Sequence, residues 1–139
     1  MSINFSLTQR KALVTGASQG IGRAIAKAFM ESGAEVVACD VKKEGLVQLK
    51  KDSSEKGHNC YIYEVDVTNR HQIKEMITEA DETIGGIDTL VNVAGIHNRF
   101  NIDEMPDEIW DRMINVNLTS CFNLTKNLLP KMAKRNFGV

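Results

Sequence analysis

The stretch TGASQGIG, residues 15–22, places three glycines within seven residues, between an apolar run and an amphipathic segment. The preceding KALV reads as a short buried strand, and the residues that follow repeat apolar side chains with the period of a helix. A helix N-terminus offers unpaired N–H groups and partial positive charge, so it binds an anion where no bulky side chain intervenes. The loop predicts a phosphate cradle in which Gly16 makes the turn, Gly20 admits the phosphates and Gly22 lets the helix pack on the strand.

Strand and helix signals alternate along the whole chain. Strands are predicted at 11–14, 35–40, 59–67 and 87–93, and helices follow each of them. Because parallel strands need crossover connections, the order βαβαβαβα predicts a parallel sheet with helices on both faces. The predicted fold class is α/β, a Rossmann-type doubly wound sheet represented by its first four strands in the order 3-2-1-4. Ligands in such sheets bind where the strand order reverses, here between strands 1 and 4.

Signals at the ends and faces of the helices complete this prediction. Gly33 and Gly85 mark helix ends, Asn69 caps the third helix, and Pro106 opens a helix after the loop 92–105. Apolar residues at helical spacing predict the buried faces. These are Ile21, Ala24, Ile25, Ala28 and Phe29; Leu46, Val47 and Leu49; Ile73, Met76, Ile77, Ala80 and Ile84; and Leu118, Cys121, Phe122, Thr125, Leu129 and Met132, with Leu124 and Leu128 as a second stripe.

Length and composition narrow the classes of function. The 139 residues suit one domain, predicted to span 1–139, and the net charge of −1 gives no basic surface for nucleic acid or an anionic membrane. Residues 1–11 lack the apolar region of a signal peptide, and no apolar run approaches the ~18 residues that cross a bilayer. Cys39, Cys60 and Cys121 are widely spaced, which favours neither a disulfide framework nor a metal site. The prediction is a cytoplasmic protein without a metal, nucleic-acid or membrane partner.

The second predicted strand ends at Asp40, about 20 residues beyond the glycine loop. A carboxylate at this position can accept hydrogen bonds from both hydroxyls of an adenosine ribose, and it would repel a 2′-phosphate. The sequence therefore favours NAD over NADP, although Lys42 and Lys43 follow closely and weaken that preference. A flexible strand–helix turn and an ordinary polar strand end are the structural alternatives.

The glycine spacing is G-x-x-x-G-x-G, and it resembles the TGxxxGIG motif of the short-chain dehydrogenase/reductase family. DV at 66–67, NVAG at 92–95 and NVNL at 115–118 follow in that family's order and at similar spacing. The resemblance runs from about Leu7 to the end of the chain, and the combination is far more specific than any one motif. A methyltransferase, which also uses a glycine-rich loop and an acidic strand end, is the competing class, and these three motifs argue against it.

The resemblance implies roles in holding the cofactor. Asp66 would accept from the adenine amino group and Val67 would donate its backbone N–H to the ring. Val93 stands where the family usually has a second asparagine. The pyrophosphate would be wrapped by Gly16, Ser18, Gln19, Gly20 and Ile21, and the adenosine side would be lined by Asn92, Ala94 and Gly95.

The resemblance also implies an active-site residue and a substrate. Asn117 matches the family's active-site asparagine, whose main-chain carbonyl holds a water in a proton relay to a lysine, and Asn115 competes by spacing. His97 and Arg99 follow the fourth strand in a loop that resembles reductases acting on sugar acids. An arginine there suits a carboxylate, and a solvated loop is the alternative.

The family's proton-transfer groups are a serine after the fifth strand and a Tyr-x-x-x-Lys motif. Tyr61 and Tyr63 begin no such motif and are predicted to pack in the third strand. The final RNFGV corresponds to the turn before a fifth strand, so we expect a fragment of a longer enzyme that is not active by itself. A short nucleotide-binding or interaction protein without catalysis is the alternative. The open edge of strand four and the last helix predict association of the chain.

The implied activity is that of an NAD(P)-dependent oxidoreductase that interconverts an alcohol and a ketone by hydride transfer. Sugar acids and polyols are the first expected substrates, 3-oxoacyl thioesters are the second, and steroids are not excluded. The implied full-length protein is a homo-oligomer that associates through the last helix.

Overall fold

A computed structural model describes residues 5–139. Residues 1–4, which begin the segment without a signal-peptide pattern, lie outside the described part. No helix within 5–139 is long and apolar enough to cross a membrane. The strands are β1 (Lys11–Thr15), β2 (Glu35–Asp40), β3 (Cys60–Glu64) and β4 (Thr89–Val91). The helices are α1 (Gly20–Glu31), α2 (Lys43–Glu55), α3 (Arg70–Ile84), α4 (Asp107–Ile114) and α5 (Ser120–Lys134), and a π-helical turn, Asn115–Thr119, joins the last two.

The four strands form one parallel sheet in the order β3-β2-β1-β4, which confirms the predicted fold class. Strand β1 lies at the centre, with Leu13 paired to Val37 of β2 and to Leu90 of β4. The chain therefore reverses its direction of travel across the sheet between β1 and β4. The carboxyl ends of β1, β2 and β4 meet there, at the edge where the prediction places the ligand.

Two of the strands are shorter than predicted, because other hydrogen bonds take over where they end. After β3, Val65 N–H donates to Asp40 O at 2.9 Å, and Asp66 then accepts from Thr68 N–H in a turn. After β4, the N–H groups of Val93 and Ala94 donate to the side-chain hydroxyl of Thr15, not to a backbone carbonyl of β1. The predicted ends at Val67 and Val93 therefore belong to loops.

The core lies in two layers, one on each face of the sheet. On one face Leu13 and Val37 pack with Ile77 of α3 and Leu128 of α5. On the other face Val14, Val36 and Ala38 pack with Ala26 of α1 and Leu49 of α2. Apolar burial is the main stabilising contribution, so α1, α2, α3 and α5 are fixed by the buried side chains that they turn to the sheet.

Helix α3 matches its prediction at both ends and along its face. The Asn69 side chain accepts from the N–H groups of His71 and Gln72 at 3.0 and 3.1 Å. Gly85 ends the helix with φ +77°, a conformation that favours glycine. The five predicted apolar positions are all buried: Ile73, Met76, Ile77, Ala80 and Ile84.

The predicted face of α1 was wrong in part, because Ile25 and Phe29 pack against the core but the other three predicted residues do not. Gly22, Ala26 and Met30 are buried, whereas Ile21, Ala24 and Ala28 are exposed and Ile25 and Phe29 are half-buried. The helix begins so close to β1 that only small side chains fit between them at its start. An apolar pattern alone does not reveal this, because Gly22 and Ala26, which pack closest to the strand, add little to the hydrophobic signal.

The predicted faces of the other helices need smaller corrections. In α2, Leu46 and Leu49 are buried as predicted, but Val47 is half exposed. The helix after the long loop begins at Asp107, and Pro106 is its N-cap in extended conformation. A proline suits this position because no helical hydrogen bond requires its missing N–H.

The predicted inner face of the last helix was wrong in part. Leu118, Phe122 and Leu129 are 64%, 58% and 57% exposed. The second stripe, Leu124 and Leu128, is the one that packs on the sheet. Because both stripes are apolar, the sequence alone does not decide which one is buried. A π-helical turn takes more residues than an α-helical turn, so it changes which face of α5 is turned to the sheet. Of the remaining predicted positions, Met132 is buried, Cys121 is half-buried and Thr125 is exposed.

Part of the β4 edge is paired, contrary to the expectation of a fully open edge. Val139 N–H donates to Asp88 O at 2.9 Å, and Leu90 N–H donates to Val139 O at 2.8 Å. This is the alternation of a parallel ladder. Arg135 donates to Ile87 O at 2.5 Å, which holds the last turn of the chain against the same strand.

The two stripes of α5 predict that substitutions of two adjacent leucines change the free energy of unfolding by very different amounts. Leu128→Ala should lower the free energy of unfolding by about 2–5 kcal/mol, because it leaves a cavity between α5 and the sheet. Leu129→Ala, the matched control, should change it by less than about 0.5 kcal/mol, since this side chain is largely exposed. Urea unfolding followed by circular dichroism measures both, and equal losses would contradict the assigned face.

Candidate functional site

A cavity of about 750 Å³ opens at the carboxyl ends of the strands, where the strand order reverses. It is large enough for an extended ligand such as a nucleotide. Its wall is formed by the four loops that follow the strands, the end of α4 and the start of the π-helical turn. The lining residues are Gly16, Gln19, Gly20, Ile21, Gly22, Asp40, Val41, Lys42, Val65, Asp66, Val67, Thr68, Val93, Ala94, Gly95, Ile96, Asp111, Arg112, Asn115 and Val116.

The glycine loop has the geometry predicted for a phosphate cradle. Gly16 has φ +64°, and a Cβ there would lie 3.0 Å from the Cα of Ala94. A Cβ at Gly22 would lie 2.2 Å from Gly16 O, so only glycine allows α1 to start this close to the loop. A Cβ at Gly20 would meet no atom within 4 Å, so the loop faces open space at that residue. The backbone is therefore accessible where the phosphates were predicted to bind.

The N-terminus of α1 is suited to an anion. Its N-cap, Gln19, makes no side-chain cap hydrogen bond, and the first turn contains no acidic residue. The first backbone N–H groups and the positive end of the helix dipole consequently lack a side-chain counter-charge. A pyrophosphate would supply one.

Thr15, which the sequence argument passed over, joins the two halves of the cavity. Its hydroxyl accepts from the N–H groups of Val93 and Ala94, each at 3.0 Å, and donates to Val91 O at 3.5 Å. The residue is almost completely buried. The end of β4 is thereby held against the glycine loop. The sequence signal that could have indicated this role is the position of a hydroxyl side chain directly before Gly16, at the end of the first predicted strand.

Asp40 ends β2 at the cavity wall, and two backbone donors orient its carboxylate. Ser18 N–H donates to Oδ2 at 3.1 Å, and Lys42 N–H donates to Oδ1 at 3.0 Å. Each oxygen keeps a lone pair for a further donor. The two lysines that weakened the cofactor prediction have other partners: Lys42 Nζ donates to Gln19 Oε1 at 3.1 Å, and Lys43 Nζ lies 3.7 Å from Glu64.

Asp66 and Val67 line the cavity on the side of β3. Asp66 Oδ1 accepts from Thr68 N–H at 2.9 Å and from the Thr68 hydroxyl at 2.7 Å. The backbone N–H of Asp66 donates to Gln72 Oε1 at 2.8 Å, which ties this turn to the first turn of α3. The carboxylate is thus held in place at the edge of the cavity.

The predicted cofactor residues divide into those at the cavity wall and those behind it. The wall contains Gly16, Gln19, Gly20, Ile21, Asp40, Asp66, Val67, Ala94 and Gly95. Ser18 and Asn92 are not part of it. Ser18 is 3% exposed, and its hydroxyl has no hydrogen-bond partner within the described residues, while Asn92 is exposed.

Asn117 clamps the loop after β4 to the π-helical turn. Its Oδ1 accepts from Ile96 N–H and its Nδ2 donates to Ile96 O, both at 2.8 Å. Asn115, the competitor by spacing, lines the cavity, and Asn117 does not. His97 and Arg99 are exposed and lie outside the cavity wall. Asp111 and Arg112, which the sequence argument did not single out, belong to the wall.

The two buried cysteines are not suited to act as nucleophiles. Burial raises the pKa of the Cys39 thiol to about 12 and that of the Cys60 thiol to about 11. The thiolate is the reactive form, so neither residue supplies it near neutral pH. Both serve as small apolar residues of the core.

The residues present fit a dinucleotide. A phosphate-linked ribose requires three features, and all three are present. They are an uncapped helix N-terminus, an open approach at Gly20 and a carboxylate oriented by two backbone donors. NAD would meet Gly20 and Ile21 with its pyrophosphate, Asp40 with its adenosine ribose, and Asp66 and Val67 with its adenine.

Comparison with known proteins establishes the family. Residues 10–139 match the family model for short chain dehydrogenases. Since this match covers almost the entire chain, the protein belongs to the short-chain dehydrogenase family. The resemblance seen in the sequence motifs is thereby confirmed.

Individual relatives agree with this assignment. The chain is 41% identical to the 3-oxoacyl-acyl-carrier-protein reductase of Thermotoga maritima, over 91% of this chain and 51% of that protein. It is 37% identical to 3β-hydroxysteroid dehydrogenase 2 of Eggerthella lenta, over 95% of this chain and 51% of that protein. A structure of 7α-hydroxysteroid dehydrogenase with NADH and 7-oxo glycochenodeoxycholic acid matches at 29% identity and a TM-score of 0.90, over 95% of this chain and 51% of that one. The chain spans about half the length of the curated relatives that it matches.

Proposed function

We propose that this chain forms the cofactor-binding part of an NAD-dependent oxidoreductase that interconverts an alcohol and a ketone. The observation that carries the proposal is the cavity, where the uncapped N-terminus of α1 and the carboxylate of Asp40 face one ligand-sized space. The relatives support it, since those named above are two dehydrogenases and a reductase and one was solved with NADH. A bound nicotinamide supplies the site that accepts or donates the hydride.

Asp40 supports NAD in preference to NADP. Backbone donors fix the orientation of its two carboxylate oxygens. The remaining lone pairs of both oxygens can therefore accept hydrogen bonds from the two hydroxyls of one ribose. A phosphate on that ribose would meet the carboxylate charge at close range. The Lys42 ammonium group, which could offset this repulsion, donates to Gln19 instead.

Asn117 supports the active-site assignment through its position. It lies in a π-helical turn, a feature that occurs frequently at functional sites. Its side chain is bonded to Ile96, which fixes the turn beside the cavity. The main-chain carbonyl, which also accepts from the Cys121 thiol at 3.5 Å, is the group assigned to hold a water. In this assignment the carbonyl accepts from the water and keeps it in line for proton transfer.

The 139 residues do not contain the expected general acid. Neither Tyr61 nor Tyr63 has a lysine four positions later. Burial raises the pKa of the Tyr63 phenol, which is the opposite of what a proton-transferring tyrosine needs. The second candidate function is a nucleotide-binding or interaction module without catalysis. Both candidate functions use the cofactor cavity. They differ in that only the oxidoreductase has a general acid for proton transfer.

The substrate proposal keeps the order reached from the sequence: sugar acids and polyols first, and 3-oxoacyl thioesters second. Arg99 supports the first class by its charge and by its place in the loop that leaves the cavity at Ile96. The similarity to a 3-oxoacyl-acyl-carrier-protein reductase supports the second.

An exposed apolar stripe on the last helical segment supports the proposal of a homo-oligomer. It consists of Trp110, Ile114, Leu118, Phe122 and Leu129, each at least 38% exposed. The residues recur mostly at intervals of four, so they lie along one side of α4, the π-helical turn and α5. Contiguous apolar surface of this kind marks an interaction site, and a second copy of the same stripe is complementary to it.

The cofactor proposal predicts the effect of removing one charge. Asp40→Asn should lower the preference for NAD over NADP by about 10- to 100-fold, because hydrogen bonds to a charged acceptor contribute about 1.5–3 kcal/mol each. Calorimetric titration with both dinucleotides measures it. The matched control is Glu35→Gln, at the opposite end of β2, and it should leave the preference unchanged. Tighter binding of NADP by the unmodified protein would contradict the assignment.

The reaction proposal predicts a pattern of turnover. In an enzyme that contains this cofactor-binding part together with the proton-transfer groups, the nicotinamide absorbance should change faster with sugar acids or polyols than with 3-oxoacyl thioesters or hydroxysteroids, and Arg99→Ala should raise KM for carboxylate substrates. The second candidate function predicts NAD binding with no turnover of any substrate in this panel. Kinetics that are the same with and without Arg99 would remove the argument for a carboxylate.

The oligomer proposal predicts that a charge in the apolar stripe separates the copies. Phe122→Glu should lower the weight-average mass in sedimentation equilibrium, because a carboxylate would be buried between two helices. Lys134→Glu places the same group on α5 outside the stripe and should leave the mass unchanged. A monomeric unmodified chain would refute the proposed surface.

A further inference from the structure

Helix α2 contacts the glycine loop at a residue to which no role has been given, Gly45. A Cβ at this position would lie 2.5 Å from Ser18 O, 2.7 Å from Ser18 Cβ and 3.0 Å from the Ser18 carbonyl carbon. Real Cβ atoms do not approach other atoms this closely. The first turn of α2 therefore rests directly on the backbone of Ser18.

The backbone conformation of Gly45 does not explain why glycine is present. Gly45 is not one of the glycines with positive φ within the described residues, and it lies inside a helix, where glycine is the poorest former after proline. Any residue other than proline would favour the helix more. Its absent side chain, which allows the contact with Ser18, is the physical reason that remains.

Ser18 is the junction through which this contact reaches the site. Its N–H donates to Asp40 Oδ2 at 3.1 Å, and the preceding residue, Ala17, donates to Cys39 O at 3.2 Å. The following residue, Gln19, is the N-cap of α1 and accepts from Lys42 Nζ. A displacement of Ser18 would consequently disturb both the carboxylate of Asp40 and the start of α1.

We propose that Gly45 is a positioning residue of the cofactor site, which sets the distance between α2 and the glycine loop and so maintains the hydrogen bond from Ser18 to Asp40. The inference rests on the proposed function for its consequence, the affinity for NAD. Its structural half, the coupling of Gly45 to the Ser18 N–H, holds for the unliganded protein. A side chain at position 45 must move either the helix or the loop.

The structural half is tested without cofactor. In Gly45→Ala, hydrogen–deuterium exchange followed by mass spectrometry should show faster exchange in peptides that contain Ser18, because its N–H loses the carboxylate acceptor. Lys51→Ala, an exposed change further along α2, is the matched control and should leave those peptides unchanged. Unchanged exchange in Gly45→Ala would overturn the proposal.

The functional half is tested with NAD by calorimetry. Gly45→Ala should weaken binding about tenfold, while Lys51→Ala should stay within about twofold of the unmodified protein. Faster exchange at Ser18 with unchanged NAD affinity would overturn the positioning role. If the unmodified protein binds no NAD, the proposed function fails, and the exchange experiment still decides whether Gly45 positions Ser18.

A double-mutant cycle separates the contact from a general loss of stability. Ser18→Gly removes one of the two closest contacts, so the loss of NAD affinity caused by Gly45→Ala should be smaller in that background. If Gly45→Ala alone fails to fold, the double variant is compared with Ser18→Gly, and equal NAD affinities of these two proteins would refute the inference. Additive losses would show that the two residues are not coupled, and would refute the inference.

Discussion

The approach of Gly22 to the carbonyl of Gly16 is the contact on which the rest of the site depends. It brings the first turn of α1 against the loop that leaves β1, and the N-terminus of the helix consequently faces the cavity. Gly16 in turn lies against Ala94, so the end of β4 approaches the same loop from the other side. Backbone groups from two strands and one helix thus converge where a larger residue would have kept them apart.

The polar contacts make this convergence specific. The hydroxyl of Thr15 serves two N–H groups beyond β4, and the carboxylate of Asp40 serves two more beyond β1 and β2. Each side chain satisfies backbone groups that would otherwise be left without a partner at a strand end. The loops around the cavity are therefore held by the same kind of interaction that holds the strands, although they are irregular in shape.

Most of the fold followed from the sequence because its signals are local. The period of α3, the cap at Asn69 and the glycine at its end agree with one another, so that helix was predicted correctly throughout. The faces of α1 and α5 were not, since both helices present more apolar or small residues than one face can use, and the choice depends on what packs against them. The cavity wall was predicted from motifs, but Arg112 and Val116 enter it from a distant part of the chain whose position depends on the π-helical turn.

The clamp between Asn117 and Ile96 divides the loop after β4 into two parts with different freedom. Up to Ile96 the backbone is tied to Thr15 on one side and to the π-helical turn on the other. From His97 to Phe100 the side chains are exposed. Ile96 is therefore the last residue of this loop that hydrogen bonds tie to the cavity wall, and the exposed residues after it are not part of that wall. Loop residues carried by a rigid scaffold tolerate sequence change, so substitutions after Ile96 leave the contacts that shape the cavity in place.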